Sequence, residues 1–331
     1  MIRREFIALA GGAAVAWPLA TPLATIAHAQ KRPRIAILHS GFPNRTPIHV
    51  LLEALRALGY EDGSTATIEL LGGEGNADRL NTLIAHLAAQ RPDVIIAITS
   101  PAVLGLKQAA LPTPVVFAFL SDPVGLGIVE SAAHPGGNFT GITYSEAPLG
   151  GKRLELLVDA LPGTKRVGVL WSPHPENAAF LENIRRSGSA RGIEIFSREI
   201  RDLEDLPAAF GDARQEGAHG VIFMGSNLTF GYRKEIAELE IANHLPSIHS
   251  FAVEVADGSL MSYGPDTAES YRRTAALADR ILRGARPADL PVEDPTRFTL
   301  AVNMKTAEAL GITLPQSILL RADEVIEQWP P

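Results

Sequence analysis

Three short polar stretches follow directly on apolar runs: Thr99-Ser100-Pro101, Ser121-Asp122-Pro123 and Gly225-Ser226-Asn227. An apolar run that ends in such a stretch and continues with helical spacing puts the polar groups at the carboxyl end of a buried strand. In an open parallel sheet, ligands bind at those ends. Hydroxyls and unpaired backbone N–H groups at a helix start suit a carboxylate, assisted by the helix dipole. Thr99 and Ser100 are therefore candidate carboxylate contacts, and Ser121 is a further donor. Asp122 is a candidate partner for an amino group. Ser226 and Asn227 are their counterparts in the second half. Each of these residues also suits plain helix capping.

Aromatic residues stand near the same kind of position. Gly41-Phe42 follows the first strand, Trp171 ends a later one, and Phe251 and Tyr263 lie beside short extended runs. Such rings can sandwich an apolar or aromatic ligand. Ordinary core packing is the structural alternative for each.

Other chemistries lack their signatures. Gly72-Gly73-Glu74-Gly75 follows the second strand and does not match the dinucleotide fingerprint, which belongs to the first strand–helix turn. There is no Walker A motif and no G-x-S-x-G elbow. The histidines are scattered: His174, His244 and His249 form no metal-spaced pair and are expected to be structural or solvated. No cofactor and no metal are expected. The absence of cysteine excludes disulfides, thiolate metal sites and a lipoprotein anchor.

The elements that must position these groups alternate strictly. Strands are expected at 34–39, 66–71, 94–98 and 115–120, with helices at 47–58, from Asn76 or Asp78 to 90, and at 101–110. A short helix is expected from Pro123 to about Ala133, because proline suits a first helical turn. After an extended run at 139–144 the alternation restarts. Helices at 150–161, 176–191, 203–215 and from Asn227 to His244 separate strands at 166–171, 193–198, 220–224 and 247–248. His249-Ser250-Phe251 opens another short helix. Extended runs at 259–264 and 291–294 flank a long helix at 266–282, and a strand at 298–302 and a helix at 305–310 follow.

This is the α/β class: two doubly wound parallel-sheet lobes joined by three hinge segments. The expected division is 30–143 plus 264–288 for lobe one and 144–263 plus 289–331 for lobe two. Two such lobes enclose a cleft and can close on a ligand.

A length of 331 residues accommodates both lobes. The net charge of −7, without blocks of like charge, argues against nucleic acid and anionic membrane surfaces as partners. Arg3-Arg4, an apolar stretch and Ala27-His28-Ala29 read as an export leader cleaved after Ala29, either a twin-arginine signal or a Sec signal that begins with two arginines. Pro18 and Pro22 interrupt that stretch, and no later run is long enough to span a bilayer, so membrane insertion is not expected.

Several motifs resemble one known family in order and spacing: Gly59-Tyr60-Glu61-Asp62-Gly63, Ser121-Asp122-Pro123-Val124-Gly125, Pro135-Gly136-Gly137-Asn138-Phe139-Thr140-Gly141, Lys152-Arg153-Leu154-Glu155, Met261-Ser262-Tyr263-Gly264-Pro265, Arg286-Pro287-Ala288-Asp289-Leu290-Pro291 and Arg321-Ala322-Asp323-Glu324-Val325. Together they are similar to the ABC-transporter substrate-binding proteins of the tryptophan-binding type. That resemblance implies a type I periplasmic binding fold, three hinge strands, and delivery of a captured solute to an inner-membrane permease. Tryptophan and related aromatic amino acids are the solutes it implies, and with the cleft chemistry above the expected solute is an aromatic or branched amino acid, or an aromatic carboxylate. A periplasmic monomer is the expected form. The rival readings are an exported sensor that presents its closed form to a membrane receptor, and an enzyme on the same scaffold, which lacks nucleophile, metal and cofactor signatures.

Overall fold

The computed structural model describes residues 32–144, 148–173 and 177–327. The leader expected over 1–29 lies outside the described residues. Lobe one is built from β1 (Arg34–His39), α1 (Ile48–Ala57), β2 (Thr67–Gly72), α2 (Ala77–Gln90), β3 (Val94–Ile98), α3 (Ser100–Gln108), β4 (Val115–Leu120) and β5 (Phe139–Thr143). Its strands run parallel in the order β2-β1-β3-β4-β5. Every residue of β3 is buried, as a strand covered by helices on both faces must be. Gly59, at φ +95, ends the turn after α1 in a conformation that favours glycine.

Lobe two comprises α4 (Leu149–Ala160), β6 (Arg166–Trp171), α5 (Asn177–Arg191), β7 (Glu194–Glu199), α6 (Asp205–Gln215), β8 (Gly220–Phe223), α7 (Asn227–Gly231), α8 (Arg233–Asn243), β9 (Ser247–His249), α9 (Ala252–Ala256) and β10 (Met261–Pro265). The next helix, α10 (Thr267–Leu282), returns to lobe one. Its Tyr271, Ala275 and Ala278 pack with Ile35, Leu51 and Leu55 in the lobe-one core. β11 (Phe298–Asn303), α11 (Met304–Ala309), α12 (Gln316–Leu319) and β12 (Glu324–Ile326) then complete lobe two. Among the described residues its sheet has seven strands, ordered β12-β11-β10-β9-β8-β6-β7.

Three passages link the lobes, and they are laced together by backbone hydrogen bonds. Thr143 N–H donates to Glu293 O at 2.8 Å, and Glu293 N–H to Gly141 O at 3.0 Å. Asp266 N–H donates to Arg297 O at 3.0 Å. Arg273 of α10 holds Glu293 at 2.6 Å. At Gly264 a Cβ would stand 1.9 Å from Ser250 O, so only glycine fits between β10 and the loop after β9.

Several expectations need correction. Residues 123–133 form turns and bends, not a helix. The Asp122 carboxylate takes the Gly125 N–H, Pro123 O takes the N–H groups of Ile128 and Val129, and Gly127 sits at φ +66, so no helical ladder can propagate. The helix expected from Asn227 to His244 is two, broken at Tyr232 (φ −113, ψ 28). The lobe-two sheet is mixed, because β10 and β11 pair antiparallel. That pairing carries the lobe-two sheet to Pro265, while Leu290, expected in lobe two, is buried in the lobe-one core.

Candidate ligand-binding site

The carboxyl ends of the strands of both lobes meet around a cavity. Lobe one contributes His39 from the end of β1, Phe42 and Thr46 from the loop that follows, Thr99, Ser100 and Pro101 from the β3–α3 junction, and Phe119 and Ser121 from the end of β4. Thr267 and Tyr271 enter from α10. Lobe two contributes Gly225, Ser226 and Asn227 from the β8–α7 junction, Phe230 from α7, Asn177 from α5 and Phe251 after β9. Tyr144, just past β5, lines it from the first hinge passage.

The apolar wall is a connected set of rings. Phe251 stacks on Tyr144 with centroids 5.2 Å apart, and meets Phe119 at 5.9 Å and Phe230 at 5.5 Å edge to face. Phe119 in turn meets Tyr271 at 5.3 Å. Edge-to-face and offset pairs are the favoured aromatic geometries, so these rings fix one another. Burial pushes the Tyr271 phenol above its ordinary pKa, and it stays neutral.

Two backbone outliers sit at the polar end. Thr99 has φ +81 and Phe119 has φ +59, both in the region that disfavours side chains. Around Phe119 the β4–β5 register shifts, which marks a bulge. Phe117 packs into one face of the lobe-one sheet. Strict alternation would send Phe119 the same way, but it packs against the other core. The bulge thus turns an apparently structural residue towards the cavity. Strain of this kind concentrates at ligand sites.

The lobes touch directly beside the cavity. Asn227 Nδ2 donates to Ser40 Oγ at 2.5 Å, and Ser40 Oγ lies 2.5 Å from Thr99 Oγ1. Arg45 Nη1 donates to Gly231 O at 2.7 Å and stacks over Phe42 and Tyr232. Arg233 Nη1 returns a bond to Arg45 O at 2.6 Å. The cleft is therefore held shut by the β1–α1 loop against α7 and the start of α8.

Behind Phe251 lies a fully buried charged group. Glu254 Oε2 accepts the Phe251 and Ser250 N–H groups at 2.8 and 3.1 Å. His249 stacks on Phe223 and bonds Glu240 Oε1 at 2.9 Å, with its Nδ1 3.4 Å from Glu254 Oε1 at ion-pair range. Burial opposes charge on His249, but Glu254 and Glu240 together outweigh it and push its pKa up to about 9. Burial raises the Glu240 pKa against the pull of His249. This cluster anchors the loop that carries Phe251.

Phe42, Thr99, Ser100, Ser121, Ser226, Asn227 and Phe251 line the cavity; four other candidate residues do not. Asp122 is an exposed turn residue whose carboxylate is spent on Gly125 N–H at 2.8 Å. Trp171 packs against the lobe-two core at the end of β6. Tyr263 stacks on Phe298 at 6.1 Å and packs against the same core. Gly41 stands at the inter-lobe contact, where a Cβ would meet Asn227 Oδ1 at 3.3 Å. Ring type alone could not separate these from true wall residues. His39, Asn177, Phe119, Tyr144, Phe230 and Tyr271 escaped the sequence reading. Strand-end position was a usable signal for His39 and Tyr144. Nothing in the run Val115–Leu120 signals the bulge at Phe119.

Among the described residues no group of His, Cys, Asp and Glu is arranged to hold a metal, and no helix is long and apolar enough to cross a membrane.

Two α/β lobes, three laced hinge passages and an aromatic cavity between them define a solute-binding protein of the type I periplasmic class. Residues 45–326 match the ABC transporter substrate binding protein family, and the chain belongs to it. It is 24% identical over 264 residues to the tyrosine-binding protein of Clostridioides difficile, covering 79% of this chain and 75% of that one. Among solved structures it is similar to a Streptococcus pneumoniae ABC domain in complex with L-Trp, at 25% identity and a TM-score of 0.81, over 89% of this chain and all of that one. A conserved domain protein of Vibrio cholerae matches at 26% identity and a TM-score of 0.82, with the same coverage.

Proposed function

We propose that this chain is the exported solute-binding subunit of an ABC importer, and that it captures an aromatic amino acid or aromatic carboxylate in the inter-lobe cavity. The observation that carries the reading is the ring set around Phe251, which shares one cavity with the hydroxyls and amide of Thr99, Ser100, Ser121, Ser226 and Asn227. A mostly apolar cleft with a few oriented polar groups suits a small ligand with an aromatic body and a polar end. The tyrosine and tryptophan associated with similar proteins support the same solute class. The leader at 1–29 supports export to the periplasm. The mature chain acts as a monomer, closes about its hinges and presents the closed form to a permease. No covalent step is required of it.

A thermal-shift panel on the chain from Gln30 onward tests this. Tyrosine, tryptophan, phenylalanine and aromatic acids should raise Tm, since a ligand at 100 times its Kd stabilises by about 2.7 kcal/mol. A rise with sugars or purines and none with aromatic compounds contradicts the solute class.

A further inference from the structure

His39 is 4% exposed, and it lines the cavity. Its Nδ1 accepts the Gly41 N–H at 2.8 Å. An imidazole nitrogen that accepts a hydrogen bond carries no proton, so the neutral ring holds its proton on Nε2. That Nε2–H has no hydrogen bond to any described residue. The Nε2 atom is not one of the sealed-in polar atoms left without a partner, so it opens on the cavity, where a ligand can supply the acceptor.

The neighbourhood of His39 indicates what that is. In the sheet His39 pairs with Ile98, the residue before Thr99, and His39 lines the same cavity as Thr99, Ser100 and Pro101 at the start of α3. Among the described residues no side chain caps α3, and its second residue, Pro101, has no N–H. The helix spans nine residues, long enough for its dipole to favour an anion at this end. Thr99 is held at φ +81 at the same junction.

We infer that His39 is a specificity-determining contact, whose Nε2–H donates, beside the uncapped start of α3, to a carboxylate oxygen of the ligand. This rests on the proposed solute class and deepens it: the ligand's anionic end is read by neutral donors in lobe one, and its ring by the aromatic wall. Burial lowers the His39 pKa to about 4, so the ring remains a neutral donor through the physiological range. A fixed neutral donor reads an acceptor without requiring a second charge in the cavity.

The test compares L-tryptophan and L-tyrosine with tryptamine and tyramine, which lack the carboxylate, by calorimetric titration of the whole mature chain. His39→Leu removes the donor, and His39→Gln keeps a neutral N–H of similar reach. His39→Leu should weaken binding of the two amino acids about tenfold. The loss should be several-fold larger for the two amino acids than for the two amines, and His39→Gln should recover most of the difference. Equal losses for amino acids and amines, or none for either, overturn the inference while leaving the solute class standing. Wild-type protein that binds none of the four compounds, and neither phenylalanine nor an aromatic acid, overturns the solute class and the inference together. Should His39→Leu not fold, nitrogen-15 histidine spectra of wild type decide: the Nε2 proton should move downfield with tryptophan and stay in place with tryptamine. Identical responses to the two overturn the inference.

Discussion

Asn227 of lobe two and Ser40 of lobe one share a hydrogen bond of 2.5 Å across the cleft, and Ser40 shares another of the same length with Thr99 in the cavity wall. One side-chain amide thus ties closure of the lobes to the strand end where a ligand would sit. Asn227→Ala should favour the open form and weaken solute binding by about 1 kcal/mol, roughly fivefold. Thermal stability without solute should change little. Small-angle scattering with saturating solute, alongside a titration, checks both; unaltered affinity shows that the bond contributes nothing to closure.

Phe251 joins three other rings and is held by the Glu254 carboxylate. Phe251→Ala removes a large part of the wall and should weaken aromatic solutes by about 2–3 kcal/mol. Glu254→Gln should weaken them less, because only the loop loses its anchor. Titration of both variants gives the ranking, and the reverse order contradicts the assignment of Phe251 to the wall.

Thr99 is held at φ +81. Glycine tolerates that backbone, and relief of strain is worth about 1–3 kcal/mol, against about 1 kcal/mol for the lost Ser40 hydrogen bond. Thr99→Gly should therefore be at least as stable as wild type by chemical denaturation, yet bind solute more weakly. A clear loss of stability would mean that the backbone there is not strained.

His39 should leave a signature in the pH dependence of stability. Its folded pKa is lowered to about 4 from 6.5, so between those values the unfolded chain binds the extra proton. The contribution is fully present above pH 6.5 and is lost as pH falls towards 4, to the extent of about 3 kcal/mol. The raised pKa of Glu240 acts with the opposite sign above its ordinary value, so the difference between wild type and His39→Gln is the quantity to follow. That difference should shrink steadily from pH 6.5 to 4. His249, with its pKa pushed up to about 9, contributes stability at low pH that disappears as pH rises through 9.

Gly264 is packed against Ser250 O so closely that a Cβ would stand 1.9 Å from it. Gly264→Ala should cost about 1–3 kcal/mol or more by forcing β10 away from the loop that carries Phe251. Denaturant unfolding of this variant measures the cost, and a neutral result would mean that the β9–α9 loop yields easily.

The fold was largely legible because its strands are short apolar runs that stop at polar tripeptides, as at Ile98-Thr99-Ser100. The polar half of the site followed from the same feature, since a strand end in a parallel sheet also opens the cleft. The aromatic half did not. Phe119 reaches the cavity only through a bulge, and Trp171 and Tyr263 occupy strand positions indistinguishable by type from those of wall residues. The turns at 123–133 were not legible, because Pro123 suits a helix start, whereas the Asp122 carboxylate and Gly127 favour a turn. His39 passed unnoticed because its role depends on which ring nitrogen Gly41 occupies, and no sequence pattern encodes that.

The most direct measurement is calorimetric titration of the mature chain with L-tryptophan and L-tyrosine, in wild type and in Phe251→Ala. Saturable one-to-one binding with a negative heat-capacity change, lost or strongly weakened in the variant, is the expected result. Absence of binding by any aromatic amino acid or aromatic acid, or tight binding indifferent to Phe251, contradicts capture of such a solute in the inter-lobe cavity.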